Sequence, residues 1–157
     1  MATLAHPLQP LASFIKVDGT GVPYLEGVRC TSCGEVLLES RRGCPKCASI
    51  GTLEPVRLSQ TGRLFSYTIV HRSFPGVETP FVSAVVELDG GGFLKGNLVD
   101  VDPQPAALPF EMPVRVRFDH PKVPGKLDFD LLRYVFVPGN DGDRANPSSP
   151  KEGNSHV

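Results

Sequence analysis

The sequence contains no tryptophan and only two methionines, and it has no excess of charge: 16 Lys and Arg stand against 17 Asp and Glu in 157 residues. Neutralising phosphates takes a basic surface, and stacking on bases takes exposed aromatics, so the composition speaks against a nucleic-acid binder. No apolar run approaches the roughly 20 residues that cross a bilayer, and no membrane role is expected. Residues 1–11 lack a basic region followed by a long apolar core, so no secretory signal is read and the cytoplasm is the expected compartment. A Gly-x-Ser-x-Gly nucleophile elbow is also missing. Cysteine is absent everywhere except in one short stretch.

That stretch holds Cys30-Thr31-Ser32-Cys33-Gly34 and, with ten residues between Cys33 and Cys44, Cys44-Pro45-Lys46-Cys47. Two C-x-x-C pairs at this separation have the spacing of a zinc ribbon, in which two tight turns (knuckles) present four thiolates to one tetrahedral Zn²⁺. Gly34 frees the backbone to turn after Cys33, and Pro45 pre-sets φ inside the second knuckle. Iron in a rubredoxin-like site and a redox dithiol or disulfide pair are the competing readings. A closed four-thiolate site leaves no position for water, so zinc bound by Cys30, Cys33, Cys44 and Cys47 would be structural.

Sixteen Gly and sixteen Pro cut the chain into short segments, which favours strands and tight turns over long helices. The expected fold is mainly β. Residues 1–29 are read as an N-terminal arm, with Leu8, Leu11, Ala12, Phe14 and Ile15 spaced for a short helix. Residues 30–50 form the rubredoxin-like zinc ribbon, and Leu53, Val56 and Leu58 begin the next sheet. Residues 51–138 then read as a five-stranded barrel of OB type, with strands at 63–70, 81–88, 93–99, 114–118 and 133–137. Within the first of these, Phe65, Tyr67 and Ile69 fall on one face at period two. Prolines between 103 and 113 exclude a regular helix there. Residues 139–157, nearly free of large apolar side chains, read as a disordered tail.

The order of these features resembles one family. The C-x-x-C-G and C-P-x-C knuckles, the run from Gly62 to Arg72, the hairpin ending Gly96-Asn97-Leu98-Val99-Asp100, and the segment from Glu111 to Phe118 together carry the likeness. It is the family of rubredoxin-like zinc-ribbon/OB-fold proteins that accompany thiolases and thiolase-like enzymes and bind, or help bind, acyl-CoA. The resemblance implies a non-catalytic accessory subunit of a hetero-oligomer, docked on a thiolase-like catalytic subunit and helping to form an acyl-CoA site or channel. The ring-degrading and sterol-degrading members, including the small subunit of the benzylsuccinate-pathway thiolase, are the nearest analogues. A CoA thioester would then be the ligand of the complex.

Thiolase chemistry needs a cysteine nucleophile, and the ribbon uses all four, so no catalytic residue is assigned. CoA asks for cations beside an apolar shelf. His71, Arg72, Phe74 and Phe81, around one strand-to-strand loop, and Lys122 and Lys126, in a second loop, have that chemistry and are the candidate CoA or partner contacts. Two alternatives remain: an OB-fold single-stranded nucleic-acid binder and a rubredoxin-like electron carrier.

Overall fold

The computed structural model describes residues 7–121 and 129–140. Ten strands form two connected sheets, and no α-helix occurs among the described residues. The first sheet is built on β3 (Pro23–Cys30), which pairs antiparallel with β2 (Ile15–Val17), β4 (Val36–Leu37) and β5 (Leu53–Arg57). Leu25, Val28 and Cys30 of β3 are buried, so this one strand supplies both core and metal-ligand positions. Across the pair, the Arg57 guanidinium lies 4.5 Å from the centre of the Tyr24 ring, a cation–π contact that ties β5 to β3.

The second sheet closes on itself. β6 (Thr61–Val70) pairs with β7 (Phe81–Leu88), β7 with β8 (Phe93–Leu98), and β8 with β10 (Asp130–Pro138); β9 (Pro113–Asp119) bridges β10 back to β6. Among these five strands all neighbours are antiparallel except β8 and β10, which run parallel where Phe136 faces Leu98. Five strands closed in this order make the Greek-key barrel of an OB fold. The β8–β9 connection holds only a single turn of 3₁₀ helix, Pro105–Ala107, as its prolines dictate.

Alternation explains the barrel interior. Val82, Ala84, Val86 and Leu88 of β7 point inward, as do Val114 and Val116 of β9 and Leu94 and Leu98 of β8. In β6 a bulge at Phe65 interrupts the alternation, because Leu64 faces Val86 while Ser66 faces Val85. The expected single face of Phe65, Tyr67 and Ile69 is therefore split. Tyr67 and Ile69 pack on the core, and Phe65 turns outward.

The N-terminal helical arm is not formed. In its place, β1 (Leu8–Pro10) adds to β10 in parallel, and β2 pairs with β3 from Ile15↔Leu25 to Val17↔Pro23. The apolar spacing that suggested a helix instead serves two strand surfaces: Ile15 is buried at 2% exposure, whereas Leu11 remains 56% exposed. Pro10 has no N–H to give a ladder, and an edge strand tolerates it. β5 is another departure, because Leu53 and Val56 join the ribbon sheet through β3 and not the barrel.

The two sheets share one hydrophobic cluster. Ile15, Leu25, Val36 and Leu58 belong to the same buried group as Leu64, Leu94, Val114 and Phe136. The β7–β8 turn comes so close that a Cβ built on Gly91 would lie 3.2 Å from Val36 Cγ2. The ribbon therefore rests on the end of the barrel that carries this turn.

Candidate metal centre and exposed loop

Strand β3 delivers Cys30 at its C-terminal end, and the turn that follows carries Cys33. The two knuckles repeat the same hydrogen bonds. The Gly34 amide donates to the Cys30 carbonyl and the Cys30 amide to the Glu35 carbonyl; in the second knuckle the Ala48 amide donates to the Cys44 carbonyl and the Cys44 amide to the Ser49 carbonyl. The residue after each second cysteine has positive φ, +78° at Gly34 and +59° at Ala48. Alanine is strained there by about 1–2 kcal/mol, part of which glycine's greater chain entropy offsets. Ala48→Gly is accordingly expected to stabilise the protein by about 0.5–1 kcal/mol, read as a rise in chemical-denaturation midpoint.

All four sulfurs lie within 4.8 Å of one another. Cys30 and Cys47 Sγ are 3.7 Å apart, and Cys33 and Cys44 Sγ are 3.5 Å apart. A tetrahedron with metal–sulfur bonds of about 2.3 Å has edges of about 3.8 Å, so the thiols are already at ligating distance. None is in a disulfide. Cys30 and Cys44 are buried, while Cys47 is exposed on the outer side of the cluster.

Two hydroxyls sit on one edge of this cluster. Ser49 Oγ is 3.0 Å from Cys47 Sγ and 3.4 Å from Cys30 Sγ, and Thr52 Oγ1 is 3.3 Å from Cys30 Sγ. Their hydrogen bonds, Ser49 first, hold the Cys30 thiol down to about 5. Ser49, through its hydroxyl and its amide, also lowers Cys47. Cys33 goes the other way, up to about 12: the Glu35 amide favours its thiolate, but burial and the neighbouring Cys44, Cys47 and Cys30 sulfurs together outweigh that bond. Four thiolates so close together need a cation among them, and a divalent metal with soft-ligand affinity fits the donor set. Cys30, Cys33, Cys44 and Cys47 would hold it.

Acid should release that metal. A thiol whose folded pKa is depressed contributes stability in full above its ordinary value and loses it as pH falls through the folded value. For Cys30 the window runs from about 9 down to about 5. Metal bound per chain, measured after desalting at stepped pH, is expected to be complete at about pH 8 and gone below about pH 5. Full retention at pH 4 would contradict thiolate ligation.

The remaining candidates lie elsewhere. His71, Arg72 and Phe74 belong to residues 71–80, every one of them exposed, between β6 and β7; Phe81 starts β7 opposite Val70. Phe74 is 83% exposed. These four therefore share one end of a hairpin. Because β6 pairs Gly62 with Leu88 at one end and Val70 with Phe81 at the other, that end lies away from the β7–β8 turn on which the ribbon rests. Lys122 and Lys126 lie outside the described residues. His120, at the start of the same β9–β10 connection, places Nδ1 3.2 Å from the Leu131 carbonyl.

Three features had no expectation attached. Phe65 and Phe93 meet edge to face on the outer barrel surface, with ring centroids 5.0 Å apart, although each ring is at least half exposed. The strand alternation around Phe93 contains the signal for this, but the bulge that turns Phe65 outward does not show in the sequence. Phe110, 67% exposed, packs on Tyr67 at 5.7 Å. The hydroxyls of Ser49 and Thr52 follow the second knuckle directly, and polar residues at that place were the available clue.

Comparison with known proteins agrees with this architecture. The family described as ChsH2, C-terminal OB-fold domain, matches residues 55–119, which run from within β5 through β9. A DUF35 domain-containing scaffold protein of Methanocaldococcus jannaschii is 39% identical over 82 residues, 51% of this chain and 58% of that protein. The benzoylsuccinyl-CoA thiolase subunit BbsA of Geobacter metallireducens is 37% identical over 71 residues, 45% of this chain and 47% of that subunit. The chain thus spans about half to three fifths of the length of these curated relatives. Among solved structures, an Ltp2-ChsH2(DUF35) aldolase chain superposes with a TM-score of 0.56 at 29% identity, covering 73% of this chain and 84% of that one. No helix among the described residues is long and apolar enough to cross a membrane. The likeness to ChsH2-type OB-fold domains thus covers residues 55–119, from within β5 through β9.

Proposed function

We propose that this chain is a non-catalytic accessory subunit of a thiolase- or aldolase-type acyl-CoA enzyme, held in shape by a structural zinc ion. The observation that carries the reading is the cysteine cluster: every cysteine of the chain is gathered into one four-sulfur set, leaving no thiol for acyl transfer. Its relatives support it, one being a benzoylsuccinyl-CoA thiolase subunit and another part of an Ltp2-ChsH2 aldolase.

Exposed apolar side chains supply the contact surfaces such a subunit needs. Ile50, beside the second knuckle, is 82% exposed, and Phe74 projects from the β6–β7 loop at 83%. A shallow groove of about 480 Å³ runs along the N-terminal strands, with Leu11 and Ile15 in its wall. In this proposal the ribbon and N-terminal strands dock on the catalytic partner. The β6–β7 loop, with Arg72 for a phosphate and Phe74 as an apolar shelf, borders the CoA thioester, and the acyl group is of aromatic or sterol type.

The test is co-expression with a thiolase- or aldolase-type catalytic protein of the same organism. The expected result is a single hetero-oligomeric species in light scattering after size exclusion, which binds a CoA thioester in calorimetry. Separate elution of the two chains, with no thioester bound, would sink the proposal.

A further inference from the structure

The hydroxyls of Ser49 and Thr52 lie 2.6 Å from each other and reach only one edge of the sulfur cluster. Ser49 Oγ touches both Cys47 and Cys30, and Thr52 Oγ1 touches Cys30. No side-chain hydroxyl is hydrogen-bonded to Cys33 or Cys44 among the described residues. The favoured edge is also the asymmetric one: it joins the most buried sulfur residue, Cys30 at 1% exposure, to exposed Cys47. Cys47 is thus the ligand that water, chelators and electrophiles reach first.

We propose that Ser49 and Thr52 are positioning residues for the metal, donating O–H···S bonds that hold the Cys30 and Cys47 thiolates in ligating geometry and keep the exposed edge of the site closed. The proposal rests on the cysteine cluster holding a metal, and adds which side chains outside the ligand set make the hold tight. Each hydroxyl has one proton to give. Ser49 can give its proton to Cys47, its shortest sulfur contact at 3.0 Å, while Thr52 gives its own either to Cys30 or to Ser49 Oγ 2.6 Å away, a relay that strengthens the Ser49 bond. Hydrogen bonds to a ligand thiolate withdraw electron density from sulfur, so they weaken its attraction for protons and electrophiles while fixing its direction.

The backbone suits the role. Ser49 follows Ala48, whose left-handed φ turns the chain back over the cluster. Thr52 is fixed from its other side, because its carbonyl accepts bonds from the Thr31 amide at 2.8 Å and the Thr31 hydroxyl at 3.2 Å. The pair therefore bridges the two knuckles. Thr31 lies next to Cys30, and Ser49 lies two residues beyond Cys47.

The experiment uses the full chain loaded with Zn²⁺ and, separately, with Co²⁺. Ser49→Ala and Thr52→Val remove the hydroxyls, and Ser49→Thr and Thr52→Ser keep them. Transfer of Zn²⁺ to a chromophoric chelator measures affinity, and the thiolate-to-Co²⁺ charge-transfer band reports electron density on sulfur. Removing either hydroxyl is expected to weaken Zn²⁺ binding about tenfold or more and to shift the Co²⁺ band, with both restored in the hydroxyl-keeping variants. Zn²⁺ affinity within twofold of the parent and an unmoved band in Ser49→Ala and Thr52→Val would overturn the proposal. A merely structural effect would weaken binding without moving the band, and that result would also overturn it. A parent chain that binds neither metal would instead remove the metal-site reading itself, so the two failures are distinct.

Discussion

Cys44→Ser is expected to abolish stoichiometric metal binding and to lower the melting temperature by about 10–20 °C. Cys44 is buried at 2% exposure with its sulfur 3.5 Å from Cys33, so no water-bound alternative ligand can replace it without opening the knuckle. Structural zinc in small modules contributes about 10–16 kcal/mol of binding free energy, comparable to the whole stability of an ordinary domain. Without the metal, β4 and the knuckles have little to hold them. The damage should then spread, because Leu25, Val36 and Leu58 on the ribbon side belong to the barrel's own hydrophobic cluster. Exposing three such side chains forfeits about 1.5–2 kcal/mol each, roughly 5 kcal/mol together, and for a chain of this size each kcal/mol moves the melting temperature by about 2–4 °C. Calorimetry and metal analysis on the same sample check both halves. A variant that melts with the parent would show that the ribbon is energetically separate from the barrel.

Gly62→Ala should be nearly as damaging through a different physical route. Gly62 sits where the barrel closes, paired with Leu88 of β7 on one side and Val114 of β9 on the other. A Cβ placed there would lie under 3.0 Å from the Glu87 carbonyl oxygen and 2.9 Å from Val86 Cγ1. The carbonyl belongs to a strand backbone and cannot swing aside, so β6 and β7 would have to part at this point. Overpacking of this kind costs about 3 kcal/mol, and more if the β6–β9 seam opens as well. Gly19→Ala is the internal control, since nothing lies within 4 Å of its would-be Cβ and its φ is not positive. Denaturant melts of the pair should separate by about 3 kcal/mol; equal stabilities would mean the seam has slack.

The barrel was legible because its strands carry their signal locally. The alternation in Val114, Val116 and Phe118 and the apolar run from Phe81 to Leu88 predict strands whose bounds match β9 and β7 within a residue. The cysteine spacing likewise predicts the cluster, since ligand geometry depends on the two knuckles and little else. What failed depended on distant partners. Leu8, Leu11, Ala12 and Ile15 have helical spacing in one dimension, but parallel pairing with β10 and antiparallel pairing with β3 supply the backbone bonds that a helix would have made internally. The same holds for Leu53 and Val56, which look like the start of the barrel until β3 is seen to take them. The bulge at Phe65 leaves no mark in a period-two pattern; only the pairing register reveals it. Ser49 and Thr52 show that the hydrogen-bonding shell of a metal site is the part least visible from ligand spacing.

These observations converge on a division of labour. The cysteine ribbon and the barrel share one hydrophobic core, while exposed apolar tips at Ile50 and Phe74 offer contact. Under the proposed function, chemistry on a thioester would belong to a partner that brings its own nucleophile.

Turnover measured with purified components tests that claim most directly. A thiolase- or aldolase-type protein of the same organism that co-purifies with this chain would be assayed for CoA-thioester cleavage alone and with one equivalent of this chain, and this chain would be assayed alone. The account predicts no turnover by this chain, and a partner whose rate rises at least tenfold when the chain is added. Turnover by this chain alone, or a partner rate unchanged by its addition, would contradict it.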